Sequence, residues 1–144
     1  MRAYTYDDVL EMYNRWCEDK TKENWGELWI TCKRRMEPFV HTKNKKLPVP
    51  IKRYEVIEDI IEDSVYETMH YLYKAEEYEM ELAEGKIIEE KDDKKKKYPK
   101  KPKTAKQLAA IFYFKNKYVF QKWLRDEEKY NRPIKLLNKQ RICQ

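Results

Sequence analysis

The sequence predicts an all-α fold, a small bundle of about four helices with a lysine-rich loop and a basic C-terminal tail, and three observations carry that expectation. Only 2 of the 144 residues are glycine and 6 are proline, too little punctuation for an antiparallel sheet, which needs a turn about every 8–12 residues. Apolar side chains recur three and four residues apart in several stretches, the spacing of one helix face. Charged residues make up 40% of the chain against 41% hydrophobic, enough apolar surface at this length for one core but not two.

A first helix opens at Thr5, whose hydroxyl can cap it, with Asp7 and Asp8 in its first turn and Val9, Met12, Tyr13 and Trp16 on one face. After a polar break from Glu18 to Lys22, Asn24 is the expected cap of a second helix. Leu28, Trp29, Cys32 and Met36 form its apolar side, and Pro38 is expected to kink or end it. His41 to Pro50 reads as a connecting loop.

The third helix is the clearest, from about Glu55 to Glu84, with Ile57, Ile60, Ile61, Val65, Met69 and Leu72 as its stripe and Gly85 as its stop signal. Beyond Ala75 it outruns what a domain of this size needs, so that end is expected to project or fray. Residues 86–103 are lysine-rich, with seven lysines between Lys94 and Lys103, and read as a linker or loop with no core face. Thr104 caps a fourth, basic aromatic helix that Pro133 is expected to end, leaving 133–144 as a basic tail. The organisation is thus an acidic helical part, 1–85, the linker, 86–103, the basic aromatic helix, 104–132, packed on the same core, and the tail.

Charge is segregated along the chain. Residues 1–90 hold 14 Lys and Arg against 21 Asp and Glu, net −7; residues 91–144 hold 18 against 5, net +13, which together give the chain's +6. A basic segment of that strength is the electrostatic footprint of phosphate binding. Cys17, Cys32 and Cys143 have neither disulfide-framework nor zinc-site spacing. No signal peptide or apolar span is visible, so a cytoplasmic protein without membrane contact is expected, in a bacterium or in the host if viral.

The densest chemistry lies in residues 112–125, where six aromatics interleave with four cations. Cations neutralise phosphates, and aromatic faces stack on unpaired bases. At 100° per residue Phe112, Val119, Phe120 and Trp123 share the core face, leaving Tyr113, Tyr118 and Phe114 outward. The candidate DNA-binding residues are Lys106, Tyr113, Lys115, Asn116, Lys117, Tyr118, Gln121, Lys122, Arg125 and Lys129.

Glu58-Asp59-Ile60-Ile61-Glu62-Asp63, followed by Val65 and the aromatic-rich Met69 to Tyr73, resembles the acidic helix in region 2 of bacterial sigma factors, in particular the extracytoplasmic-function type and divergent phage relatives. Trp123-Leu124-Arg125 is similar to the end of that family's promoter-reading helix. The resemblance covers about residues 5–130 by helix order. Glu62 stands where the family usually has glutamine and Lys122 where it has aspartate, and residues 74–103 are an insertion. The resemblance implies that Glu58, Asp59, Glu62, Asp63 and Glu67 dock on the core of bacterial RNA polymerase while the basic aromatic helix engages promoter DNA, with no cofactor and no catalysis.

Two other readings use the same residues. Residues 104–111 and 117–125 can be drawn as a helix-turn-helix with its turn at Tyr113, a DNA-binding regulator without polymerase contact. Glu58, Glu62, Glu89 and Asp92 loosely match the carboxylates by which helical nucleotide pyrophosphohydrolases hold magnesium. Glu67 and His70 make one ExxH, where a di-iron bundle needs two. The only glycines, Gly26 and Gly85, rule out phosphate-binding glycine loops.

Overall fold

The computed structural model describes residues 4–86 and 99–142, excluding the side chains of 126–142. They form four helices and, among the described residues, no strand: α1 (Tyr6–Glu18), α2 (Lys22–Lys45), α3 (Tyr54–Ala83) and α4 (Ala105–Ile142). The helices run alternately up and down, each packing on its chain neighbour, and α4 closes the ring against α1.

Local chemistry sets the helix ends. Thr5 accepts from the Asp8 amide while Asp8 returns a bond to the Thr5 amide, a reciprocal box that satisfies two otherwise orphaned donors. The cap of α2 is Thr21, not Asn24: the Asn24 amide donates to Thr21 Oγ1 at 3.1 Å. The Asn24 side chain instead donates to Asp19 O at 2.8 Å, tightening the short turn from α1. Gly85, at φ 74°, ends α3; its amide donates to Leu82 O and that of Lys86 to Glu81 O, a geometry that favours a residue without Cβ.

Both prolines expected to end helices lie inside them. Pro38 sits in α2, which continues seven residues to Lys45, so the expected loop from His41 begins only at Lys46. Pro38 is exposed, so water can reach the carbonyl its missing N–H leaves unpaired, while Val40 and Asn44 beyond it are buried and hold the helix down. Pro133 is likewise within α4, so the segment expected as a tail is helical to Ile142.

Asn44 closes the α2–α3 connection. Its amide group donates to Ile51 O at 3.0 Å and accepts from Ile51 N at 2.9 Å, giving a loop backbone the pairing a strand would otherwise supply.

The core runs through the ring: Val9 and Tyr13 from α1, Leu28, Cys32 and Met36 from α2, the whole apolar stripe of α3, and Leu108, Phe112, Val119 and Phe120 from α4. Fully burying each large apolar side chain contributes about 1.5–3 kcal/mol. Two polar contacts cross it. Tyr13 donates through its hydroxyl to Leu72 O at 2.8 Å, and Asn116 Nδ2 donates to Ser64 Oγ at 3.0 Å. Trp16, Trp25 and Tyr73 seal one end, with ring centroids 4.7 Å apart for the two tryptophans and 6.0 Å from each to Tyr73.

The end of α3 beyond Ala75 is tied down by charge. Glu76 is buried, and its carboxylate lies 2.7 Å from Lys101 Nζ and 3.5 Å from Lys20 Nζ. Burial pushes its pKa up, but hydrogen bonds from Cys17 and Lys101 and the charges of Lys101 and Lys20 outweigh that and hold it below the ordinary value. Beside it, Lys100 exchanges backbone hydrogen bonds with the Tyr71 hydroxyl at 3.1 and 3.2 Å, and Pro102 is buried. The chain entering α4 is thereby strapped to α3.

Candidate nucleic-acid interface

α4 is one unbroken helix from Ala105 through Tyr113, where a helix-turn-helix needs its turn. Helix-turn-helix geometry is therefore absent from residues 104–125. The 3.6-residue period sorts this helix into two faces. Leu108, Phe112, Val119 and Phe120 are buried, Trp123 is half-buried, and Tyr113, Phe114 and Tyr118 are 47%, 64% and 51% exposed.

Among the sequence-derived candidates, Lys106, Lys117, Gln121, Lys122 and Arg125 are exposed with these rings. Tyr113 and Phe114 meet edge to face, centroids 5.5 Å apart, so the pair presents a fixed corner rather than two free rings. Lys115 is half-buried with its Nζ 5.3 Å from the Tyr71 ring, turned towards α3.

Asn116 corrects the sequence reading: it is 0% exposed and bonded to Ser64, so it cannot touch DNA in this fold. It lies four residues from both Phe112 and Phe120, and that spacing was the signal for burial. The side chain of Lys129 lies outside the described residues.

The five acidic candidates lie on α3. Asp59, Glu62 and Asp63 are exposed, and Glu58 and Glu67 half-buried. Glu62, itself exposed, lies 3.7 Å from the Nζ of half-buried Lys33 in a partly solvated pair of little energetic weight. Asp63 has a structural task, accepting a 3.0 Å hydrogen bond from Trp123 Nε1, so it joins the acidic helix to the basic one.

Glu58 and Glu62 stand one turn apart, while Glu89 and Asp92 lie outside the described residues. Among the described residues no three His, Cys, Asp or Glu side chains converge as metal ligands, and no helix is long and apolar enough to cross a membrane.

Sequence reasoning gave no role to the cations of α2 and of the connection that follows it. Residues 33–53 hold eight Lys and Arg against a single acid, Glu37, a cluster hidden by the acidic total of the first 90 residues. Arg35 lies over the Tyr6 ring, 4.2 Å from its centroid, and Lys43 reaches across to α4, 5.5 Å from the Tyr113 ring and 5.1 Å from that of Phe120.

The Cys17 and Cys32 thiols are held in their protonated form, and Cys143 lies outside the described residues. Burial, with Glu76 as a hydrogen-bonded neighbour, pushes the Cys17 pKa up to about 12, and burial alone raises that of Cys32. No family model matches the chain, and no curated protein or solved structure matches it.

Proposed function

We propose that this chain is a sigma-factor-like transcription protein. In this reading α4 engages promoter DNA and the acidic face of α3 engages bacterial RNA polymerase. The observation that carries the reading is the outward face of α4, where three large aromatic rings stay exposed beside Lys117, Lys122 and Arg125 on a helix whose opposite face is buried. Exposing three rings in a row costs apolar burial, which a nucleic-acid partner recovers by stacking at about 1–3 kcal/mol per base while the cations neutralise phosphates.

Asp59 and Glu62 supply the second half. They are solvent-facing, and among the described residues Glu62 pairs with the half-buried Lys33 at 3.7 Å, which leaves both open to a basic partner surface. Charges of this kind mainly set encounter rate and register.

The deciding experiment retains purified bacterial RNA polymerase core on the tagged protein. Wild type should retain it, and Asp59→Lys with Glu62→Lys should abolish retention while leaving binding to free DNA intact. Asp63 is left unmutated because it holds Trp123. Unchanged retention by the double variant would remove α3 as the polymerase contact. Salt-sensitive DNA binding without any retention would reduce the reading to DNA binding alone.

A further inference from the structure

α1 begins at Tyr6, whose ring packs on Phe112 at 5.2 Å. At that end of the bundle Lys43, near the C-terminus of α2, reaches the Tyr113 and Phe120 rings of α4 across a seam. Its ammonium is covered and has no hydrogen-bond partner; it rests between the Tyr113 and Phe120 rings.

No carboxylate among the described residues pairs with Lys43. Burial lowers its pKa, and the charged neighbour that adds to the lowering is another cation, Lys117. Among the described residues Lys43 thus lies unpaired against the exposed Tyr113 ring, and Lys117 stands exposed one helical turn after Tyr113 on α4.

We infer that this seam is a nucleotide seat: Lys43 and Lys117 clasp one phosphate of single-stranded nucleic acid, and Tyr113 stacks on the adjoining base. This rests on the nucleic-acid reading of α4 and adds to it a helix that the reading does not include. The phosphate supplies the anion that the Lys43 ammonium lacks among the described residues. The four-carbon stem of Lys43 lets its head swing from beneath Tyr113 to the seam's mouth. A cation behind the ring also steadies it, so the outer face is presented ready to stack.

The test measures binding of a fluorescein-labelled oligothymidylate by anisotropy across a salt series, for Lys43→Met, Lys117→Met, the double variant, Tyr113→Leu and a control, Lys74→Met on exposed α3. Methionine keeps the apolar stem and removes the charge, and circular dichroism checks that each variant stays folded.

If both lysines hold one phosphate, each single variant weakens binding. The double variant lowers the slope of log affinity against log salt by about 0.7, the value for one phosphate of a single strand, rather than by twice that. Tyr113→Leu should lose at least about fivefold at every salt concentration with its slope unchanged. Wild-type affinity and slope in the double variant would overturn the seam while leaving nucleic-acid binding standing. A wild type that binds no nucleic acid would overturn both. Competition by phosphatidylglycerol vesicles as strong as by unlabelled oligonucleotide would mark the seam as a general anion site and overturn the nucleotide assignment.

Discussion

Glu76→Gln tests how the entry to α4 is held. Glu76 is 7% exposed, its carboxylate lies 2.7 Å from Lys101, and the Lys101 side chain is itself only 19% exposed. Removing one partner of a fully buried pair costs about 3–5 kcal/mol because a charge is left uncompensated. Lys101 retains some water contact and Gln can still accept from Cys17, so about 2–3 kcal/mol is expected. Near this chain length that is a fall in Tm of about 7–10 °C.

The pH dependence has a definite sign. A carboxyl held below its ordinary value of 4.5 stabilises fully above that value and loses the contribution as pH falls through its native pKa. Lys101 is raised by Glu76 despite its burial, so its share is complete below 10.5 and is lost as pH rises through its own raised value. The gap between wild type and Glu76→Gln should therefore be widest from about pH 5 to 10 and close at both extremes. Thermal melts followed by circular dichroism measure it. Adding Lys101→Met to Glu76→Gln should restore stability, since a neutral pair leaves no stranded charge. A single variant within about 0.5 kcal/mol of wild type, or a double variant still less stable, would refute the clasp.

Asn44→Ala removes both bonds to Ile51 and should cost about 1–3 kcal/mol in urea denaturation, whereas Asn44→Asp, which keeps only the acceptor, should fall between. Asn116→Ala should destabilise the fold by about 1–3 kcal/mol yet leave the salt slope of DNA binding at its wild-type value, because the residue is buried on Ser64 rather than facing the ligand. Trp123→Phe loses the bond to Asp63; about 1 kcal/mol of stability should go, and a double-mutant cycle with Asp63→Asn should show the two residues coupled.

The helices and their buried stripes were legible because periodicity is a strong signal when apolar residues are this regular: Ile57 to Leu72 read as a stripe and are buried as one. The outward placement of Tyr113, Phe114 and Tyr118 was legible for the same reason. Boundaries failed where tertiary packing overrides a local rule. Pro38 reads as a break, yet the burial of Val40 and Asn44 beyond it carries α2 onward.

Side-chain roles failed where one residue type serves two purposes. Asn116 between two lysines reads as a polar contact to a ligand, and only its distance from Phe112 and Phe120 reveals the core. Glu76 is one acid among many and Lys101 one lysine among seven, so their meeting at 2.7 Å has no signature in either run. Lys43 escaped because its contact with the Tyr113 and Phe120 rings joins residues about 70 positions apart on two helices, which neither run announces.

The ring closed by α4 also has a bearing on how the molecule is assembled. The first three helices join through short connections, whereas α4 follows a longer one and must find both α3 and α1, so contact order predicts that it docks last. The first 90 residues carry net −7 and the remainder +13, so the docking of α4 is drawn by long-range attraction between the two parts of one chain. Closure becomes a charge-steered encounter within the molecule, and its rate in a stopped-flow refolding experiment should fall as added salt shortens the reach of that attraction.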